Sequence, residues 1–222
     1  MKNKLRNFLL RDFREEVLCK IIIQEIEKLE DLKNKKLIKI LDYGSGYSPV
    51  LIKKIVNKLS KKYKNTIFKA YCFDYYSNEH ISLLNKNNST KIKFFNIKKL
   101  KSIKMNFNFC LIVDVLHHIG INKGNKIYKT TRMLKKICKF IIIKDHFQYG
   151  FFSNLILVLM DFFGNYFDGV KIPNLYFDKE SYKKFLKKIP LKEIRSINNK
   201  KYYKWYWLYI NNKKLQFVSI VK

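Results

Sequence analysis

Nine aspartates and four histidines are scattered through 222 residues, yet seven of these thirteen side chains fall at or just past the ends of apolar runs. Asp42 closes KILD, Asp74 closes YCFD, Asp114 closes LIVD and Asp145 closes IIIKD, while His117, His118 and His146 follow such ends within four residues. Carboxylates can orient hydroxyl groups and balance a cation. An imidazole with a pKa near 6.5 can take up and release a proton. Each residue also has a plainer role open to it. A strand-end Asp is often a helix cap or turn former, His117 or His118 can serve as a structural cap, and His146 can be a solvated ring. Four acids and three histidines at equivalent ends favour a common rim, with an Asp145–His146 pair as the expected base.

The sharpest local motif follows the first apolar run: Asp42-Tyr43-Gly44-Ser45-Gly46-Tyr47-Ser48-Pro49. Gly44 and Gly46 allow a tight turn and a close ligand approach. Ser48 suits an N-cap and Pro49 the first helical position. Pro49 stands where a dinucleotide fingerprint would need glycine, and no GxxxxGK[ST] phosphate loop is present. With no third His or Cys at ligand spacing, no metal site is expected.

The elements that must position these residues alternate. Apolar runs at 37–41, 67–73, 91–95, 109–113 and 140–143 read as strands, and 49–63, 77–85 and 123–136 as helices. That order predicts a parallel α/β sheet, preceded by a leading helix or helix pair over 5–32. After Asp145 the pattern changes to an apolar segment (151–163), a helix (178–187) and strands at 191–197, 204–210 and 214–221, predicted to be antiparallel. The segment 151–163 is a core or lid helix, an apolar wall, or a membrane-surface contact. Turns are expected at Gly164-Asn165 and Asp168-Gly169, and Trp205, Tyr206 and Trp207 are expected to fill a sheet face.

Composition sets the outer limits. Hydrophobic residues make up 47% of the chain, enough for a sizeable core and too many for disorder. The run from Phe151 to Met160 is too short for a span of about 20 residues, and no signal-peptide core is expected. Of four widely spaced cysteines, Cys72, Cys110 and Cys138 lie in or beside apolar runs and read as buried thiols of a reducing compartment, so a cytoplasmic protein is expected. The net charge is +30, but five arginines stand against 42 lysines. Lys, Asn, Ile, Phe and Tyr exceed half of the chain, as an AT-rich genome would produce. Scarce Arg and evenly spread Lys argue against a nucleic-acid partner.

The glycine turn between a strand and a helix, with an acid ending the next strand, resembles the class I S-adenosylmethionine-dependent methyltransferases, and VDVLHHI (Val113 to Ile119) looks like the LHHI segment of their small-molecule members. The resemblance covers about residues 37–144. It implies a Rossmann-like, mostly parallel sheet flanked by helices, with antiparallel strands at the C-terminal end and an N-terminal helical extension. A single domain is then expected: extension 1–34, donor-binding core 37–144, and lid insertion, last helix and closing strands over 145–222. S-adenosyl-L-methionine is the implied cofactor, held by Asp42, Gly44, Gly46, Asp74, Asn96 and Asp114. Asp74 would bind the ribose hydroxyls and Asn96 would stand for the acid that reads adenine. His117, His118, Asp145 and His146 would face the acceptor, a small molecule that is free or lipid- or sugar-linked, with peripheral membrane contact a further expectation. The competing readings are an RNA methyltransferase, an inactive methyltransferase-fold subunit and, last, an NAD-dependent oxidoreductase.

Overall fold

The computed structural model describes residues 12–46, 49–120, 125–165, 172–173, 175–198 and 213–222. Its helices and strands are α1 (Asp12–Leu29), β1 (Leu37–Tyr43), α2 (Val50–Lys62), β2 (Ile67–Asp74), α3 (Asn78–Asn87), β3 (Ile92–Asn96), β4 (Phe107–Val113), the single turn α4 (Leu116–Ile119), α5 (Lys126–Ile137), β5 (Cys138–His146), α6 (Phe151–Asn165), α7 (Lys179–Lys188), β6 (Glu193–Asn198) and β7 (Gln216–Val221). The strands form one seven-stranded sheet in the order β3-β2-β1-β4-β5-β7-β6. β1 pairs parallel with β2, and β2 with β3, while β6 and β7 are antiparallel. This is the expected α/β fold, mostly parallel with an antiparallel C-terminal end.

Compactness divides the chain into two units, Met1–Leu111 with Ile137–Ile141, and Ile112–Lys136 with Ile142–Lys222.

In the first unit, α2 buries Ile52, Ile55, Val56 and Leu59, the i, i+3, i+4, i+7 stripe of an amphipathic helix, and packs on α1. α1 contributes Leu18, Ile22 and Ile26, all fully buried. Each such side chain contributes roughly 1.5–3 kcal/mol, so this seam outweighs the exposed Lys58–Glu16 and Lys62–Glu27 pairs on its rim. The parallel register sets Asp42 opposite Cys72 and Asp74 opposite Asn96. Three polar side chains thus stand at the carboxyl ends of β1, β2 and β3, where open α/β sheets bind ligands.

The second unit is held by aromatic packing. Phe147 stacks on Phe217 with centroids 3.9 Å apart, and Tyr182 and Phe177 close around them. α7 starts with a capping box in which Asp178 and Ser181 satisfy each other's backbone N–H groups.

The boundaries differ from the sequence reading in small, explicable ways. A single helix, α1, replaces the helix or helix pair over the described part of 5–32. Pro49 occupies the N-cap, so α2 begins at Val50. α6 runs on through Gly164 and Asn165, where a turn was expected, because the helical ladder tolerates one glycine near its end. Ser48, the Asp168-Gly169 turn, the strand expected at 204–210 and Trp205, Tyr206 and Trp207 lie outside the described residues. Among the described residues, no helix is long and apolar enough to cross a membrane.

Candidate functional site

Two clusters of polar side chains stand out, one in each unit. In the first unit, the glycine turn after β1 takes the left-handed conformation its residues predict, with φ +75° at Gly44 and +68° at Gly46. Gly44 N–H donates to the Phe73 carbonyl (2.8 Å) and Gly46 N–H to Asp74 Oδ2 (2.6 Å). Asp74 Oδ1 accepts from Tyr75 N–H (2.7 Å). A Cβ added at Gly46 would meet nothing within 4 Å, so the turn opens onto space rather than onto packed protein.

Tyr76, which no motif singled out, ties this turn together. Its hydroxyl donates to the Gly46 carbonyl (2.6 Å) and lies 2.7 Å from Ser45 Oγ, and its own carbonyl accepts from Asn96 Nδ2 (2.6 Å). Asn96 caps the 3-10 turn Ile97–Ser102 through Oδ1, which accepts from Lys98 N–H (2.9 Å). The Asn96 carbonyl was expected to accept from a ligand; a lone pair remains for that, but one is already used. Asp42 is buried beneath the turn, and burial, with Asp74's charge added, pushes its carboxyl up to about 7.

In the second unit, the expected Asp145–His146 ring pair does not form. Adjacent strand residues point to opposite faces, and His146 reaches Asp145 only through its backbone N–H (2.8 Å to Oδ1). The carboxylate instead holds the ring of His117 by Nδ1, and accepts from Leu116 N–H (3.1 Å) and, more weakly, His117 N–H (3.4 Å). On its other side, His117 Nε2 lies 3.2 Å from Asp161 Oδ2, a residue that α6 supplies. The Tyr176 hydroxyl lies 2.5 Å from the same oxygen and 2.9 Å from the Leu157 carbonyl. Burial opposes charge on His117, but Asp145 and Asp161 outweigh it and push the imidazole up to about 9. Burial would raise both carboxylates; His117 holds both below their ordinary values.

Asp114 takes φ +53° at the end of β4, a left-handed position that Asp tolerates better than most residues. It forms an ion pair with Lys144, which is fully buried, and approaches His146 Nε2 at 3.3 Å. Expected as a cofactor-binding acid, it also balances the charge of a buried lysine. Burial, then the charges of Lys144 and His117, hold His146 well below its ordinary value. Its Nδ1 is buried with no hydrogen-bond partner. The rings of His117, His118, His146 and Tyr176 form one group, with His117 4.1 Å from His118, 5.3 Å from His146 and 5.2 Å from Tyr176.

The residues that sequence reasoning missed are Tyr76, Lys144, Asp161 and Tyr176. Lys144 and Asp161 did carry a signal: a lone charge inside an apolar strand (IIIKD) or helix (LVLMDFF) needs a buried partner. The two tyrosines carried none. Spacing also hid a possible ion site. Ligand atoms of His117, His118 and Asp161 lie within 4.8 Å of one another, as do those of His117, Asp145 and His146.

No protein-family model matches the sequence, and comparison with curated proteins gives no significant match. Solved structures do match. A S-adenosylmethionine-dependent methyltransferase from Clostridium acetobutylicum ATCC 824 superposes with a TM-score of 0.61 at 13% identity, over 99% of this chain and 96% of that one. The mitomycin 7-O-methyltransferase MmcR gives 0.56 at 12%, covering 89% of this chain, and LepI in complex with SAM gives 0.57 at 9%, covering 90%. This chain spans only 52% and 46% of those two proteins. At such identities the likeness is one of fold. The chain has the Rossmann-like methyltransferase fold.

Proposed function

We propose that the chain is an S-adenosylmethionine-dependent methyltransferase that acts on a small molecule. The observation that carries this reading is the hydrogen bond from Gly46 N–H to Asp74, which joins the glycine turn to the acid ending the next strand.

The residues of the first unit suit the donor. Gly46 has open space where a side chain would stand. Asp74 is partly exposed and, with one backbone bond on each oxygen, has lone pairs left for two ribose hydroxyls. Asp42 supplies a carboxyl that a neighbouring ammonium would ionise, and Asn96 retains acceptor capacity for an adenine amino group. The bound sulfonium supplies an activated methyl group. The chain supplies alignment, the larger part of catalysis in an in-line transfer.

Proton handling falls to the second unit. Asp145 and Asp161 favour positive charge at His117, which suits this position to stabilising negative charge on an acceptor oxygen. His146, whose Nδ1 has no hydrogen-bond partner, is the candidate to accept a proton from an acceptor hydroxyl. Asp145 orients His117, and His118, tilted against that ring with centroids 4.1 Å apart, is the remaining candidate contact for the acceptor.

The acceptor class is tested by incubating the chain with methyl-labelled S-adenosylmethionine and either a small-metabolite extract or total RNA. Label in the metabolite fraction is expected. Label in RNA would replace the small-molecule reading, and label in neither, with the donor still bound, would favour an inactive methyltransferase-fold subunit.

A further inference from the structure

We propose that His117, His118 and Asp161 bind a divalent transition-metal ion of the zinc type. The inference stands on this cluster alone and holds whether or not the donor reading does.

Three observations converge on it. The ligand atoms of the three residues lie within 4.8 Å of one another, so small side-chain rotations would bring them to the roughly 3.5 Å separation of tetrahedral ligands at about 2.0–2.2 Å from one ion. His117 Nε2 and Asp161 Oδ2 approach to 3.2 Å, yet Nε2 is buried and forms no hydrogen bond. The two atoms are close but misaligned for each other, as they would be if both faced a third centre. Finally, Asp145 occupies His117 Nδ1. That contact keeps one proton on Nδ1, so an ion that displaces the second proton, on Nε2, meets a lone pair directed at Asp161.

A carboxylate behind a ligating histidine is the usual outer support of such sites. Here it is itself braced by the N–H groups of Leu116 and His146, while the Tyr176 hydroxyl braces Asp161. Two imidazole nitrogens and one carboxylate oxygen suit a borderline ion better than Mg²⁺ or Ca²⁺. Charge agrees, because Asp145 and Asp161 together balance a divalent cation with both rings neutral. His118 and Asp161 are partly exposed, which gives the ion a way in. Three protein ligands leave a coordination position open, as in reactive rather than structural zinc sites.

The test is titration of the full chain with Zn²⁺ against a chromophoric chelator, with Co²⁺ as a spectroscopic substitute. One ion per chain is expected, with His118→Ala and Asp161→Asn each weakening binding more than roughly 10-fold. Asp145→Asn should weaken it roughly 10–100-fold through His117, and His80→Ala, in the other unit, should leave it unchanged. Bound Co²⁺ should show the intense visible bands of a four-coordinate site in the wild-type chain, a readout that needs no variant to fold. A pale six-coordinate spectrum, no stoichiometric site, or binding indifferent to His118→Ala and Asp161→Asn would each overturn the proposal. S-adenosylhomocysteine binding, measured on the same variants, reports the donor reading separately.

Discussion

Asp74 and Gly46, 28 residues apart, are joined by a 2.6 Å hydrogen bond from the glycine's backbone N–H to the carboxylate. The contact makes the turn after β1 and the end of β2 a single structure. Tyr76 closes it from the other side by donating to the Gly46 carbonyl. Any ligand that meets the turn therefore also meets the acid.

Proton transfer should depend on His146. Replacing it with Asn should lower turnover by about 10²–10⁴-fold, the usual contribution of a positioned acid or base. Affinity for S-adenosylhomocysteine should not change, since His146 is not among the residues proposed to hold the donor. Turnover and binding measured side by side decide the point. Undiminished turnover would remove His146 from the mechanism.

Asp145 should matter to stability more than any surface acid. It is fully buried and accepts from the His117 ring and from backbone N–H groups. Asp145→Ala would leave the backbone donors without a partner and the buried His117 ring with Asp161 alone, at a cost of about 3–5 kcal/mol. In a chain of this size that lowers Tm by roughly 10 °C. Glu16→Gln, which breaks an exposed pair with Lys58, should change Tm little. Equal shifts in the two variants would contradict the pairing.

Asp42 should give the protein a measurable pH dependence. Its carboxyl titrates at about 7 in the folded chain and near 3.9 when unfolded. The folded state therefore keeps a proton that the unfolded chain has already released. The stability from this group is complete below about pH 4 and is lost as pH rises towards 7. Asp42→Asn is neutral throughout, so its stability relative to wild type should climb across that window by on the order of 3–4 kcal/mol and then level off. Parallel denaturation profiles from pH 4 to 8 would show that Asp42 is not protonated by burial.

The first cluster was largely legible in the sequence. Apolar runs that end in acid fix both where a strand stops and what stands at its carboxyl end, so Asp42, Asp74 and the two glycines followed from local order. The second cluster was not. His117 and Asp145 pair across 28 residues, and only the fold decides that Asp145 turns towards His117 rather than its neighbour His146. α6 read as a lid, a core helix or a membrane contact because its apolar run is nearly continuous. The fold buries Leu157, exposes Phe151 and Phe152 (78% and 77%), and uses the one acid in the run, Asp161, to flank His117. Asn96 was legible as a strand-end residue, but its capping of the next turn was not.

The most direct test is a calorimetric titration of S-adenosylhomocysteine into the wild-type chain and Asp74→Ala, with NAD as a control. The account predicts one site in the wild type, none for NAD, and at least about 10-fold weaker binding in Asp74→Ala, as expected for lost hydrogen bonds to a charged group. Circular dichroism of the two chains should be the same. No binding by the wild type, equal binding by the variant, or binding of NAD would contradict it.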